Sequence, residues 1–190
     1  MLTEDLKETT YSEHQASEKK MILALKKIYT MKDYVRLLGW LHGFYAPVED
    51  LIRQHLTEQV FPRITKRFRA GELLNDIRES GKPAPTIGPC EDLPVIDSAD
   101  RALGALYVLE GSTLGGRIIA GMINQRLGTA TSLGFFNSYG AETENMWQSF
   151  KDFLDKPRSA EQQTTILDAA KETFITFKNW IGKHELQPQL

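Results

Sequence analysis

Only one cysteine, Cys90, occurs in 190 residues, which excludes an intramolecular disulfide framework and any cysteine-rich metal site. No surplus of either charge is present either: 23 Lys and Arg stand against 25 Asp and Glu, a formal net charge of −2. Without a basic excess to neutralise phosphates, nucleic acid is not an expected partner. No apolar run approaches the roughly 20 residues that span a bilayer; residues 37–40 and 118–123 are typical of the longest. The opening Met1-Leu2-Thr3-Glu4-Asp5 is acidic and lacks the apolar stretch of a secretory signal, so a cytoplasmic location is expected. Internal repeats and low-complexity tracts are absent.

What remains is 41% hydrophobic and 25% charged, ample for a packed core and far from the composition of a disordered chain. The length suits one domain, 1–190. Helical periodicity dominates and predicts an all-α, single-domain bundle. A first helix is expected over 3–28 with Thr3 as N-cap, and a second over 30–58 kinked at Pro47, with Gly39 and Gly43 nearby. A third is expected over 61–80, where Ile64, Phe68, Leu73 or Leu74 and Ile77 can share a face. Five residues of Pro and Gly between 81 and 98 forbid helix and mark a surface crossover. A glycine-interrupted helix over 99–127, a loop over 128–140, and helices over 141–155 and 159–184 complete the chain. The last opens with the capping-box pattern Ser159-Ala160-Glu161-Gln162.

Two features look chemical. On the first helix Ile28, Leu25 and Met21 recur at helical spacing, and the stripe continues through Ser17, His14, Thr10 or Tyr11, and Lys7. His14 is therefore expected to point inward, among residues that shrink or turn polar, as at the wall of a cavity. A neutral imidazole on a rigid helix is a good iron ligand, and Glu18, one turn on, is placed to orient it. A lone histidine on a helix is also commonly a surface or hydrogen-bonded residue, and His42, His55 and His184 read that way.

The second feature is the helix over 99–127, which carries Gly104, Gly111, Gly115, Gly116 and Gly121 among core formers. Five interior glycines destabilise a helix by about 2.5–5 kcal/mol relative to alanine. Gly111, Gly115 and Gly116 are expected to share one face of bare backbone, open to a neighbouring helix or to a flat ligand. No strand precedes the glycine block and no Gly-Lys-Ser or Gly-Lys-Thr ends it, so it is neither a dinucleotide fingerprint nor a P-loop. A di-iron carboxylate bundle would need Glu-x-x-His twice, and the tetrapeptide does not occur.

The segment Leu6-Lys7-Glu8-Thr9-Thr10-Tyr11-Ser12-Glu13-His14, followed by Glu18, resembles the proximal helix of heme oxygenases. Tyr107-Val108-Leu109-Glu110-Gly111-Ser112-Thr113-Leu114-Gly115-Gly116 resembles their distal helix, and Phe135-Phe136-Asn137-Ser138-Tyr139-Gly140-Ala141-Glu142 is similar to the bacterial subgroup associated with bacteriophytochromes. The resemblance implies heme held between the two helices, with His14 as proximal iron ligand and Gly111, Gly115 and Gly116 over the distal face. It implies oxygen-dependent self-hydroxylation and ring opening of heme to biliverdin, CO and free iron, with O2 as co-substrate. Electrons would come from an external reductase or ferredoxin-type donor, and a bacteriophytochrome is a candidate acceptor of the bilin.

Lys7 and Tyr107 match propionate neighbours in the family. Lys151 is placed as a second propionate cation, with Arg117 or Arg126 as alternatives, and Phe174 matches an aromatic lining the pocket. Many members carry aspartate where this chain has Ser112, so Ser112, Thr113 or freed carbonyls would hold the distal water instead. The same pocket could also carry heme or a bilin without turnover. A thiaminase-type enzyme of related fold would need a cysteine nucleophile, and Cys90 lies in the proline-rich crossover with no evident base beside it.

Overall fold

Three of the long helices start on short polar side chains that accept from their first turn. Thr30 Oγ1 accepts from Asp33 N while Asp33 Oδ2 accepts from Thr30 N (3.2 and 2.9 Å). Ser98 Oγ accepts from Arg101 N at 3.3 Å, and Ser159 and Gln162 exchange the two bonds of the expected capping box. A computed structural model of the chain describes residues 1–128 and 131–185. Among these are eight α-helices and no strand: α1 Leu2–Thr9, α2 Tyr11–Lys26, α3 Met31–His55, α4 Ala70–Glu79, α5 Ala99–Leu127, α6 Gly134–Asn137, α7 Thr143–Leu154 and α8 Ala160–Glu185. Short 3-10 turns occupy Ile64–Arg67 and Gly140–Glu142. Among the described residues no helix is long and apolar enough to cross a membrane.

At the centre, α5 packs against α8 and α3. Gly104 permits the first contact: a Cβ there would collide with the Ile166 carbonyl and meet Ala169 at 2.8 Å. In α3, Pro47 has no N–H to give the carbonyl of Gly43 four residues back. Cys90 N takes that place, donating to Gly43 O at 2.7 Å, and so ties the 81–98 crossover to the kink. Trp180 Nε1 donates to Trp40 O at 2.7 Å nearby.

The first expected helix is two. Its N-cap is Met1, not Thr3, whose N–H and hydroxyl both donate to Asp155 at the end of α7. At Thr10 the hydroxyl and the N–H both donate to Leu6 O (2.7 and 3.0 Å), a local competition that interrupts the helix. The second helix stops at His55 rather than 58. The 61–80 segment also divides, because long-range carboxylates claim its backbone. Glu58 accepts from Arg63 N and Thr65 N (2.6 and 3.1 Å) and Glu49 from Arg69 N and Ala70 N (2.6 and 3.1 Å). Leu73 and Ile77 are buried as expected, while Leu74 is exposed. The 128–140 segment, expected as loop, contains α6, whose first N–H groups are anchored by Asp76; its residues 129–130 lie outside the described ones.

Glu49 is 1% exposed, and burial pushes its carboxyl up to about 7, against the pull of the Arg69 and Ala70 N–H groups and of Arg53. A carboxyl whose folded-state pKa lies above its ordinary value of 4.5 binds more protons folded than unfolded, so stability falls as pH rises from about 4.5 to 7. The expected loss is roughly 3 kcal/mol. Urea midpoints at pH 5 and pH 8 check it: Glu49→Gln should remove that component of the difference, and an unaltered difference would refute the assignment.

Candidate functional site

Helices α2 and α5 both pack on α8 and are joined to each other near both ends. At one end the Tyr107 hydroxyl lies beside Thr10; burial raises the phenol's pKa and Thr10 pulls it back. At the other, Arg126 Nη1 donates to the carbonyls of Leu25, Lys26 and Ile28 at 2.8, 3.0 and 3.2 Å. The helices therefore run in the same direction, and His14 on α2 and Gly111 on α5 each stand four residues, one turn, beyond the Thr10–Tyr107 join.

Between the joins both helices are open. His14 is exposed, flanked by buried Thr10 and Ser17. This corrects the expectation of an inward ring: the imidazole stands exposed, edge-on to Phe174 of α8 (centroids 5.5 Å, planes at 74°). Ser17 Oγ donates to Phe174 O at 3.2 Å and fixes the height of α2 on α8. Among the described residues nothing hydrogen-bonds the His14 ring, and Glu18, also exposed, makes no bond to it. The imidazole thus keeps its lone pair available, which suits an iron ligand.

On α5 the five glycines separate by role. A Cβ on Gly115 would meet nothing within 4 Å, and one on Gly111 would touch only Trp147, at 3.9 Å. Gly116 is different. A Cβ there would run into the carbonyl of Phe136, so its bareness is accounted for by the seating of α6, and the expected three-glycine face reduces to Gly111 and Gly115. Beside that pair Leu114 and Ile118 are 45% and 72% exposed, an apolar wall left uncovered among the described residues. Ser112 Oγ donates to Leu109 O at 2.6 Å and Thr113 Oγ1 to Glu110 O at 2.6 Å, bonds that loosen a helix locally.

Residues that the sequence reading did not single out support this stretch from behind. Tyr45 of α3 reaches Ser112 Oγ at 2.9 Å; since Ser112 donates elsewhere, Tyr45 is the donor. Burial pushes the Tyr45 phenol up to about 12, keeping it protonated. Glu110, 1% exposed, accepts from Arg67 and from Tyr139. Burial raises its pKa and Arg67 opposes the rise. Arg67 itself lies against the neighbouring rings of Phe61 and Phe150. A carboxylate inside the apolar run 105–110 was the one available signal of this cluster.

A second grouping lies at the Thr10–Tyr107 end. Trp147 of α7 packs on Tyr107 (centroids 5.6 Å), and Asp155 of α7 accepts from Thr3 of α1. Lys151 stands one turn from each on the same face of α7, and Lys7 one turn after Thr3 on α1. Both cations therefore border one corner, Lys7 exposed and Lys151 half-buried. The alternatives are engaged elsewhere: Arg117 donates to Gly140 O at 2.7 Å and Arg126 to the end of α2. Cys90 is buried, with its thiol pushed up by burial, in no state to act as a nucleophile.

The heme oxygenase family model matches residues 1–183. The chain belongs to the heme oxygenase family. A heme oxygenase of Xanthomonas campestris pv. campestris (strain 8004) is 31% identical over 146 residues, 76% of this chain and 86% of that relative. The heme oxygenase of Neisseria meningitidis, solved with NO and CO bound, superposes with a TM-score of 0.74 over 96% of this chain and 91% of that one. At 17% identity that likeness is one of fold, and it places the all-α arrangement among heme oxygenases. The protein is thus an enzyme that degrades heme, with heme as substrate and O2 consumed. Among the described residues no group of three or more His, Cys, Asp or Glu side chains could hold a metal ion.

Proposed function

We propose that heme lies in the open stretch between α2 and α5, with His14 as the proximal iron ligand and Gly111 and Gly115 opposite. The register carries this reading: ring and bare backbone stand one turn past the same interhelical join. Phe174 backs the His14 ring, and the exposed Leu114 and Ile118 supply apolar contact for a macrocycle. Lys7 and Lys151 take the propionates at the Tyr107 corner, each carboxylate gaining a nearby cation. Glu18 acts at most through water on the His14 side. Gly116 serves by letting α6 support the distal wall.

When bound, heme supplies both the ring that is opened and the iron that activates O2. His14 would hold the iron from α2, and the absence of side chains at Gly111 and Gly115 would leave room for O2 beside α5. Ser112, fixed by its bond to Leu109 O and by the Tyr45 donor, keeps a lone pair for an ordered water that delivers protons. The products are biliverdin, CO and free iron. Electrons come from an external reductase or ferredoxin-type donor, the bilin passes to a bacteriophytochrome, and the reaction proceeds in the cytoplasm on a single 1–190 domain.

Incubating the protein with hemin, a reducing system and air tests the reading: the Soret band should disappear as a bilin spectrum grows, whereas a heme or bilin carrier would keep it. Tyr45→Phe should slow that conversion about fivefold, the value of one hydrogen bond of about 1 kcal/mol, with hemin affinity unchanged. An unaltered rate would remove Tyr45 from the water-holding set.

A further inference from the structure

Arg126 is the side chain whose bonding neither the fold nor the proposed chemistry requires. It sits in the last turn of α5, and its Nη1 collects three carbonyl oxygens, from Leu25, Lys26 and Ile28, at the end of α2. Leu25 and Lys26 lie in the last turn of α2 and Ile28 just beyond it; Leu25 O also accepts from Ile28 N at 3.2 Å, and the helix dipole favours a cation at this end. Leu25 and Ile28 are buried residues, and the bonds to their carbonyls are partly buried, whereas the bond to Lys26 O is exposed. The other end of α2 is held by the Thr10–Tyr107 interaction and, on α8, by Ser17 and by the Glu13–Lys171 ion pair. Between these anchors α2 carries His14, exposed and without a hydrogen-bonded partner of its own.

We propose that Arg126 is a positioning residue for heme: by gripping the C-terminus of α2 from the end of α5, it sets the distance between the His14 helix and the glycine helix. It touches no substrate atom. Its effect passes through the placement of α2, because a ligand on one helix and open backbone on another act together only at a fixed spacing, and a misplacement of about 1 Å is enough to cost activity heavily. This inference rests on His14 being the iron ligand, and its test is built to separate the two.

The measurement is hemin affinity by absorption titration in four proteins: the parent, Arg126→Met, His14→Ala and the double variant, with Arg126→Lys as a fifth. Arg126→Met keeps the stem and removes the donors. It should weaken hemin binding about 10- to 150-fold, the equivalent of losing a charge-assisted bond. In the His14→Ala background the same change should have almost no effect, because the ligand whose place it governs is gone. Arg126→Lys should recover part of the loss, since one ammonium can serve the same carbonyls. Circular dichroism melts of the apo-proteins fix a working temperature at which all five are folded. Equal losses from Arg126→Met with and without His14, or no loss in either, overturn the positioning role and leave the ligand assignment standing. Parent-like hemin spectra in His14→Ala overturn the ligand assignment, and the role of Arg126 falls with it.

Discussion

Replacing His14 with alanine is expected to abolish bilin formation while leaving the apo-protein as stable as the parent. The two halves of that expectation come from different facts. The ring is exposed and makes an edge contact with Phe174 but no hydrogen bond, so its loss belongs with surface substitutions that change stability by about 0.5 kcal/mol or less. Its chemical role is larger. Removing a partner that merely hydrogen-bonds a metal ligand lowers affinity or activity about 10- to 100-fold, so removing the ligand itself should reduce turnover by on the order of 100-fold or more. Because the ring opens on solvent, added imidazole can reach the vacated position and should restore part of the heme spectrum. Stopped-flow turnover and hemin spectra with and without imidazole measure this. A variant with parent-like spectra and rate would mean that iron is held elsewhere.

Where the chain's local signals agreed with its long-range contacts, the sequence was sufficient. Helix α5 runs over the expected 99–127 and α8 begins on its expected Ser159 cap, because capping and periodicity are decided within a few residues. The proline-rich 81–98 crossover was legible for the same reason. The first expected helix divides at Thr10 by a local competition; the failures over 61–80 and 128–140 came where a carboxylate outside the segment claimed its backbone. Glu49 takes the N–H groups of Arg69 and Ala70 and, with Glu58, breaks a segment whose apolar spacing reads as one helix. Asp76 builds α6 inside a loop.

The site was legible in its elements rather than in its depth. The stripe leading to His14 and the density of glycines in α5 both mark the open stretch. Periodicity assigns a side chain to a face, however, and cannot say whether another element covers that face; hence His14, expected inward, is exposed. The same limit concealed Tyr45. Its bond to Ser112 spans 67 positions, and the only local hint was an aromatic two residues before a helix-kinking proline. Glu110 carried a stronger signal, a carboxylate on the buried stripe of α5, but its partners Arg67 and Tyr139 come from segments that only the folded chain brings together.

Adjacent glycines should respond in opposite ways. Gly116→Ala adds one methyl group where the Phe136 carbonyl already lies against the backbone, and neither a helix backbone nor that carbonyl is a flexible side-chain tip that can swing aside. The gain in helix propensity, about 1 kcal/mol, is overtaken by strain, and a net destabilisation of about 1–3 kcal/mol is expected, with α6 displaced. Gly115→Leu adds a far larger group into space where nothing lies within 4 Å, so the apo-protein should melt at or slightly above the parent temperature. Its cost should fall on function, because the side chain occupies the region assigned to O2 and the distal face of heme, and turnover should drop by on the order of 100-fold. Thermal melts of both apo-variants, paired with bilin formation by Gly115→Leu, decide the matter. If Gly115→Leu turned heme over at the parent rate, the bare strip would not face the substrate, and the distal side would have to be sought on another face of α5.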